Sequence, residues 1–161
     1  KAKGKKTFVR DTHISWLEDA EIYSWVLPYL ERANHDAGWD FEYDWSEVLQ
    51  FTKYNKHQFY GWHTDAVPNP YPPELENPNY VGKIRKLSMT VNLTDPKNYK
   101  GGNLKFDFGP HAEKSRYHTC TEIRPRGSII VFPSDRLHQV TPITSGLRYS
   151  LVMWSLGQPW K

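Results

Sequence analysis

The chain has 161 residues, of which 38% are hydrophobic, 24% are charged and 15% are aromatic. This composition predicts one folded domain over 1–161 and excludes a disordered chain, while twelve prolines exclude a coiled coil. The net charge of +3 does not indicate a nucleic-acid partner, and no apolar run is long enough to span a bilayer. A single cysteine and no recognisable signal peptide lead us to expect a reducing, cytoplasmic location.

The predicted elements begin with a tail and a helix. Lysines are concentrated at the start, so residues 1–10 are expected to form a flexible basic tail. Apolar residues recur with helical spacing over 14–34, with Asp11 or Thr12 as the candidate N-cap. Pro28 is expected to end or kink this helix, and Gly38 suits its end.

Strands are predicted along the rest of the chain. Aromatic and acidic residues alternate over 39–45, which is the pattern of a half-buried strand. Further strand-like segments are 48–54, 58–65, 84–93, 102–108, 118–123, 128–132, 137–140 and 147–154. Short strands separated by turn residues predict a sandwich, barrel or jelly roll. Residues 67–80 contain five prolines and are expected to be either a semi-rigid flap or an inserted loop.

Two histidines and an aspartate form the first chemical pattern. His63 and Asp65 lie two residues apart on a predicted strand, so both side chains point to one face and can reach one metal ion. Alone, such a pair is a weak signal, because a surface histidine beside a solvated aspartate is common. His138 adds a third candidate ligand, and two histidines with one carboxylate are typical of non-haem Fe(II) oxygenases.

Arg148 is the second chemical feature. It follows His138 by ten residues, and if 137–140 and 147–154 pair as an antiparallel hairpin, the two side chains lie close together inside the sheet. A guanidinium on the inner face of an apolar strand requires a partner. Two interpretations stay open, an ion pair with an acidic side chain and a clamp for the carboxylate of a ligand.

Three motifs carry a family resemblance. Residues 54–65 read YNKHQFYGWHTD, residues 101–104 read GGNL, and residues 148–150 read RYS. With these motifs the chain resembles the Fe(II)/2-oxoglutarate-dependent dioxygenases of the prolyl 4-hydroxylase-like branch, including bacterial PKHD-type hydroxylases. The resemblance implies a mainly β fold with supporting N-terminal helices, namely a double-stranded β-helix (a cupin-like jelly roll). His57 stands where the family often has glycine.

The resemblance also implies roles for individual residues. The implied iron ligands are His63, Asp65 and His138, which form the catalytic set together with Arg148. The implied 2-oxoglutarate contacts are Tyr54, Asn92, Arg148 and Ser150, where Asn92 replaces an aromatic residue of many family members. The implied substrate-facing residues are Tyr60, Arg85 and Trp154. The implied cofactors are Fe(II), 2-oxoglutarate as cosubstrate and O2, with ascorbate as the reductant of stray Fe(III).

The leading functional hypothesis is hydroxylation of an unactivated C–H bond in a proline-containing protein or peptide, with release of succinate and CO2. On this hypothesis the loop 67–80 is either a substrate lid or an inert insertion. One alternative is an oxygenase acting on a free amino acid, another protein side chain or a small metabolite. A nucleic-acid demethylase is disfavoured because Trp154 stands where those enzymes carry a second arginine. The fourth hypothesis is a non-catalytic jelly-roll module that binds a structural metal. The expected partners include no nucleic acid and no membrane.

Overall fold

A computed structural model describes residues 9–67, 69–111 and 115–160. Within these ranges the chain forms one α-helix, α1 (Ala20–Asp36), a single 3-10 turn at Pro96–Asn98, and thirteen strands. The strands are β1 (Arg10–Asp11), β2 (His13–Leu17), β3 (Trp45–Ser46), β4 (Leu49–Tyr54), β5 (Phe59–His63), β6 (Ile84–Asn92), β7 (Tyr99–Gly101), β8 (Leu104–Asp107), β9 (Tyr117–Cys120), β10 (Ile129–Pro133), β11 (Leu137–Val140), β12 (Ile143–Gly146) and β13 (Arg148–Gly157). In the described part of the chain, no helix has the length and hydrophobicity needed to cross a bilayer.

Two antiparallel sheets form the body of the protein. The five-stranded sheet has the order β1-β5-β11-β8-β9, and the six-stranded sheet has the order β10-β6-β13-β4-β2. Strand β3 is the sixth strand of that sheet and pairs with β13, while β12 pairs with β7 in a small separate ladder. This mainly β, two-sheet arrangement is the one predicted for a jelly roll. The supporting helices of the prediction correspond to the single helix α1 among the described residues.

The six-stranded sheet has two chemically different faces because side chains alternate along each strand. On β13, Leu151 and Met153 belong to an apolar cluster that also contains Val26 and Leu30 of α1. The helix therefore covers the outer face of this sheet. The inner face carries polar side chains, among them Ser150 of β13, and it faces the five-stranded sheet across a second apolar cluster.

The predicted helix begins later than expected. Residues 13–17 form strand β2, which pairs with β4, so the helical spacing seen from residue 14 was misleading. Asp19, not Asp11 or Thr12, is the N-cap, and its carboxylate accepts hydrogen bonds from the backbone N–H groups of residues 21 and 22. Pro28 does not end the helix, which continues to Asp36 with Val26 and Leu30 packed on the sheet.

Residues 39–44 of the predicted strand 39–45 do not form a strand. Asn34 near the end of α1 exchanges two hydrogen bonds of 3.0 Å with the backbone of Phe41, which holds this segment against the helix. Its aromatic side chains pack on the apolar cluster beneath α1. Only Trp45 and Ser46 join a sheet, as β3. Alternation of aromatic and acidic residues thus reflected packing on a helix and not strand pairing.

The remaining eight strand predictions each overlap an observed strand, whereas β1, β2, β7 and β12 were not predicted. The predicted hairpin of 137–140 with 147–154 is wrong. Strand β12 intervenes and pairs with β7, so the chain leaves the five-stranded sheet after β11 and enters the six-stranded sheet at β13. The predicted tail is also too long: residues 1–8 lie outside the described residues, but Arg10 pairs with Tyr60.

Candidate active site

Pairing of β5 with β11 brings the three predicted metal ligands together. His63 and His138 are opposite each other in this ladder, and Asp65 follows β5 by two residues. The Nε2 atom of His63 lies 3.5 Å from Oδ1 of Asp65, and Nε2 of His138 lies 3.6 Å from Oδ2. The three ligand atoms lie within 4.8 Å of one another. This spacing allows all three to reach one ion.

Backbone carbonyl groups orient both imidazoles. Nδ1 of His63 lies 2.7 Å from the carbonyl oxygen of Gly61, and Nδ1 of His138 lies 2.8 Å from that of Arg136. Because a carbonyl oxygen can only accept, each Nδ1 donates its proton there, and in a neutral imidazole held this way Nε2 is the atom that can bind a metal beside Asp65. This tautomer is the one that binds a metal through Nε2.

The protonation states also suit a metal. Burial by itself raises the pKa of Asp65, but the neighbouring polar groups, His63 and His138 first among them, together outweigh burial and hold that pKa well below its usual range. Burial, together with the nearby His63, lowers the pKa of His138 despite the opposing effect of Asp65. A carboxylate and a neutral imidazole are therefore present near neutral pH. Two imidazoles and one carboxylate on one face fit Fe(II).

A cavity adjoins these ligands between the two sheets. Its opposite wall is formed by inner-face residues of β4 and β13, including Tyr54, Arg148 and Ser150. The guanidinium of Arg148 lies 5.5 Å from the ring centre of Tyr54, and its Nη1 lies 3.5 Å from Ser150 Oγ. Arg148 is only 2% exposed, and within 9–67, 69–111 and 115–160 no acidic side chain forms an ion pair with it. Of the two interpretations, the carboxylate clamp fits this arrangement.

The glycine turn of the GGNL motif packs directly against the arginine. Gly102 has φ +59, and a Cβ added there would lie 2.4 Å from Ile143 and 3.2 Å from the aliphatic part of Arg148. Only glycine allows the turn to approach so closely. In the motif at 54–65, His57 replaces the glycine that the family often has. His57 adopts φ +72, the left-handed conformation that glycine favours. The turn is therefore kept although the glycine is absent.

Two of the three predicted substrate-facing residues line the cavity. Tyr60 stacks on His63 with ring centres 3.4 Å apart, and Trp154 is 4% exposed at the wall. Arg85 has a protein partner instead, since both Nε and Nη2 donate to the carboxylate of Glu47, the latter over 2.7 Å. Its guanidinium also stacks 3.9 Å from the ring of Trp154. A substrate contact by Arg85 stays a prediction.

The side chain of Asn92 contacts backbone groups and is not among the residues that line the cavity. It lies opposite Ser150 in the β6–β13 ladder and is fully buried. Its amide nitrogen donates to the carbonyl oxygen atoms of Thr94 and Arg124, at 2.9 and 2.6 Å. These two partners are also not among the residues that line the cavity. A contact between Asn92 and the cosubstrate stays a prediction.

Sequence reasoning missed several residues at this site. Gln50 and Thr90 also line the cavity, and Glu47 holds Arg85 beside it. Gln50 lies four residues before Tyr54 on the same predicted strand, so the alternation of side chains places both on one face. This signal was present in the sequence. No local pattern could have paired Glu47 with Arg85, because 38 residues separate them.

The base of the proline-rich loop is fixed to the body of the protein. Tyr71 exchanges backbone hydrogen bonds of 2.9 Å with Lys83 and Gly82. The ring of Tyr80 packs edge-on against Trp45 with the ring centres 4.7 Å apart, and Tyr71 packs on Tyr80. Pro68 lies outside the described residues. Closure of this loop over a substrate stays a prediction.

This fold and this site define a class, the oxygenases that hold one iron with two histidines and a carboxylate inside a jelly roll. Residues 49–156 match the model of the 2OG-Fe(II) oxygenase superfamily. The match covers more than half of the chain, and the chain therefore belongs to this superfamily. The family predicted from the motifs is confirmed, and with it the expectation of a site for Fe(II), 2-oxoglutarate and O2.

Similar proteins of known sequence are PKHD-type hydroxylases. The chain is 35% identical over 107 residues to the PKHD-type hydroxylase YbiX of Escherichia coli and of Escherichia fergusonii. The aligned part covers 65% of this chain and 40% of each relative. The chain thus spans about 40% of the length of these curated relatives.

Similar solved structures are prolyl hydroxylases. The viral collagen prolyl hydroxylase vCPH of Paramecium bursaria Chlorella virus-1, in its 2OG complex, aligns with a TM-score of 0.65 and 20% identity over 96% of this chain and 83% of its own. A prolyl hydroxylase from Trichoplax adhaerens, in complex with a hypoxia inducible factor oxygen degradation domain peptide fragment, aligns with a TM-score of 0.66 and 18% identity over 91% and 63%. These likenesses confirm the predicted jelly-roll fold.

Proposed function

We propose that this chain is the catalytic domain of an Fe(II)- and 2-oxoglutarate-dependent dioxygenase that hydroxylates an unactivated C–H bond of a peptidyl-proline. The overall reaction consumes O2 and 2-oxoglutarate and releases succinate and CO2. The observation that carries the proposal is the arrangement of one cavity. Two histidines and an aspartate converge on one side of it, and a buried arginine without an acidic partner among the described residues lies on the other.

The residues that bind iron and the residue that binds 2-oxoglutarate lie at the two ends of the cavity. His63, Asp65 and His138 hold Fe(II) through two neutral imidazoles and one carboxylate. When bound, Fe(II) with 2-oxoglutarate and O2 supplies the oxidising power for C–H hydroxylation. Arg148 binds the distal carboxylate of 2-oxoglutarate through its planar fork, because a buried guanidinium gains most from a carboxylate partner.

Ser150 and Tyr54 support the clamp. The Ser150 hydroxyl accepts from Arg148 Nη1, which orients the fork, and the Tyr54 ring packs below it. Burial raises the pKa of the Tyr54 phenol, so it stays protonated and can donate to a carboxylate. The apolar residues Leu104 and Val140 line the same cavity and reduce its access to water.

A peptidyl-proline is favoured by the aromatic walls and by the relatives. Tyr60 and Trp154 line the cavity with aromatic rings, and aromatic side chains provide apolar surface against which a proline ring can pack. The solved neighbours include a collagen prolyl hydroxylase and a prolyl hydroxylase with a bound peptide fragment. Ascorbate is the proposed reductant for iron that becomes oxidised without turnover. A protein or peptide is the proposed partner, and a cytoplasmic location stays a prediction.

The first test is spectroscopic and needs no substrate. Anaerobic protein with Fe(II) is titrated with 2-oxoglutarate, beside His63→Ala. A metal-to-ligand charge-transfer band in the wild type that is absent in the variant is expected. If saturating 2-oxoglutarate produced no band, the proposed site would be wrong and a non-catalytic metal-binding module would take its place.

The second test concerns the substrate. Proline-containing peptides are incubated with the iron-loaded protein, 2-oxoglutarate and O2, and products are analysed by mass spectrometry. Addition of one oxygen atom to proline is expected. If succinate formed only with free amino acids or small metabolites, the peptidyl-proline assignment would be wrong while the oxygenase assignment held.

A further inference from the structure

A second guanidinium lies behind the wall of the cavity. Arg10 belongs to β1, which pairs with β5 so that Arg10 stands opposite Tyr60. Its Nη1 donates to Oε1 of Gln50 over 3.3 Å, and its guanidinium lies 4.6 Å from the ring centre of Tyr60. Gln50 and Tyr60 both line the cavity. Arg10 lies outside the segment 49–156 that matches the superfamily.

The charge of Arg10 is left without an acidic partner among the described residues. Its Nε donates to the Thr12 hydroxyl over 2.9 Å, and its Nη2 is buried with no hydrogen-bond partner. Within the described ranges no carboxylate forms an ion pair with it. A half-buried guanidinium with only neutral partners is costly, unless a bound anion offsets the charge.

Arg10 and Arg148 act on the same part of the cavity. Burial raises the pKa of Tyr54, and both guanidinium groups oppose that rise, Arg148 more strongly than Arg10. Tyr54 is therefore within the field of both positive charges. A carboxylate bound beside Tyr54 and Arg148 would therefore feel the positive potential of Arg10 in addition to that of Arg148.

We propose that Arg10 is a positioning residue for the distal carboxylate of the dicarboxylate cosubstrate. It adds positive potential at the Tyr54 side of the cavity and fixes Gln50, whose Nε2 in turn donates to the Thr52 hydroxyl over 2.9 Å. This inference rests on the proposed function. It makes strand β1, which precedes the superfamily segment, part of what selects a dicarboxylate over a monocarboxylate.

The test uses two probes that differ only in the distal carboxylate. Pyridine-2,4-dicarboxylate and pyridine-2-carboxylate both chelate iron through the ring nitrogen and the 2-carboxylate, and only the first has a second carboxylate. Their dissociation constants are measured from charge-transfer bands on anaerobic, Fe(II)-loaded wild type, Arg10→Gln and Arg10→Lys. Arg32→Gln is the matched control, because Arg32 is an exposed arginine of α1 whose ion pair with Asp36 lies at the surface.

We expect Arg10→Gln to weaken the dicarboxylate about tenfold and to leave the monocarboxylate within about twofold, since only the distal carboxylate responds to the charge. Arg10→Lys keeps the charge and is expected to bind the dicarboxylate within about threefold of the wild type. Arg32→Gln is expected to change neither probe. The melting temperature and the affinity for Fe(II) alone are measured for each variant.

Two results would overturn the inference. Equal weakening of both probes in Arg10→Gln would show a general disturbance of the iron site, reached through the stack of Tyr60 on His63. Unchanged binding of the dicarboxylate, or a loss in Arg10→Lys as large as in Arg10→Gln, would show that the charge plays no part. If the wild type bound Fe(II) but formed no band with either probe or with 2-oxoglutarate, the proposed function itself would fail.

Discussion

The two faces of the six-stranded sheet differ in chemistry, because one lines the cavity and the other packs beneath α1. On β13, Arg148, Ser150 and Trp154 point to the cavity, whereas Leu151 and Met153 pack beneath α1. Neighbouring residues thus line the cavity and fill the apolar core in alternation. Substitutions one position apart on the same strand should therefore separate effects on ligand affinity from effects on the free energy of unfolding.

The largest effect is expected at the cavity, where the proposed iron ligands meet. Asp65→Ala removes the only carboxylate of the predicted ligand set and should weaken Fe(II) binding at least about 100-fold. Fe(II) titration under anaerobic conditions measures this. The control is Asp135→Ala, because the Asp135 side chain is 60% exposed and its ion pair with Arg136 lies at the surface. Equal losses in the two variants would contradict a specific iron site.

An outer-face substitution should act on folding alone. Met153 is fully buried beneath α1, and Met153→Ala leaves a cavity that should lower the free energy of unfolding by about 2–5 kcal/mol. Urea unfolding of the metal-free protein measures this change. The folded fraction should keep the wild-type affinity for 2-oxoglutarate. A large loss of that affinity in folded protein would break the distinction between the faces.

The matching inner-face substitution is Arg148→Gln. A hydrogen bond to a charged group contributes about 1.5–3 kcal/mol, so the dissociation constant for 2-oxoglutarate should rise about 10- to 100-fold. The affinity for Fe(II) alone should not change, because Arg148 is not among the metal ligands. The charge-transfer titration measures both. Weakened iron binding with unchanged 2-oxoglutarate binding would contradict the proposed division of the cavity.

The smallest expected effect is a pH dependence of stability at the inner face. Burial lowers the pKa of His138 in the folded protein, so the unfolded chain binds a proton more readily. The contribution of neutral His138 to the free energy of unfolding is therefore complete above the unfolded pKa of about 6.5. Below that pH the free energy of unfolding should fall by up to about 1 kcal/mol per pH unit. Unfolding of the metal-free protein at pH 7 and pH 5.5 measures this.

His138→Gln is the control for that pH dependence. Glutamine does not titrate, so the variant should lose part of the slope between these two pH values. Asp65 does not interfere there, because its pKa is lowered and its stabilising effect is lost only at more acidic pH. An unchanged slope in the variant would show that another group is responsible.

Local sequence patterns predicted the strands that carry the site but not the whole fold. The strand predictions at 58–65 and 84–93 overlap β5 and β6, which pair inside the two sheets. The helical spacing from residue 14 misled, because β2 pairs with β4 at the sheet edge and pairing overrode the local preference. The segment 39–45 misled for a related reason, since Asn34 holds it on the helix.

The sequence alone determined that His63 and Asp65 share a face, because side chains on a strand alternate with a period of two residues. It also determined the family, through motifs that lie close together in the chain. Only the tertiary structure decided that His138 stands opposite His63 and that Arg148 belongs to the other sheet, facing the ligands across the cavity. The same holds for Arg10 with Gln50 and for Arg85 with Glu47. These partners are 38 or more residues apart, and such contacts depend on strand order and register, which no local pattern encodes.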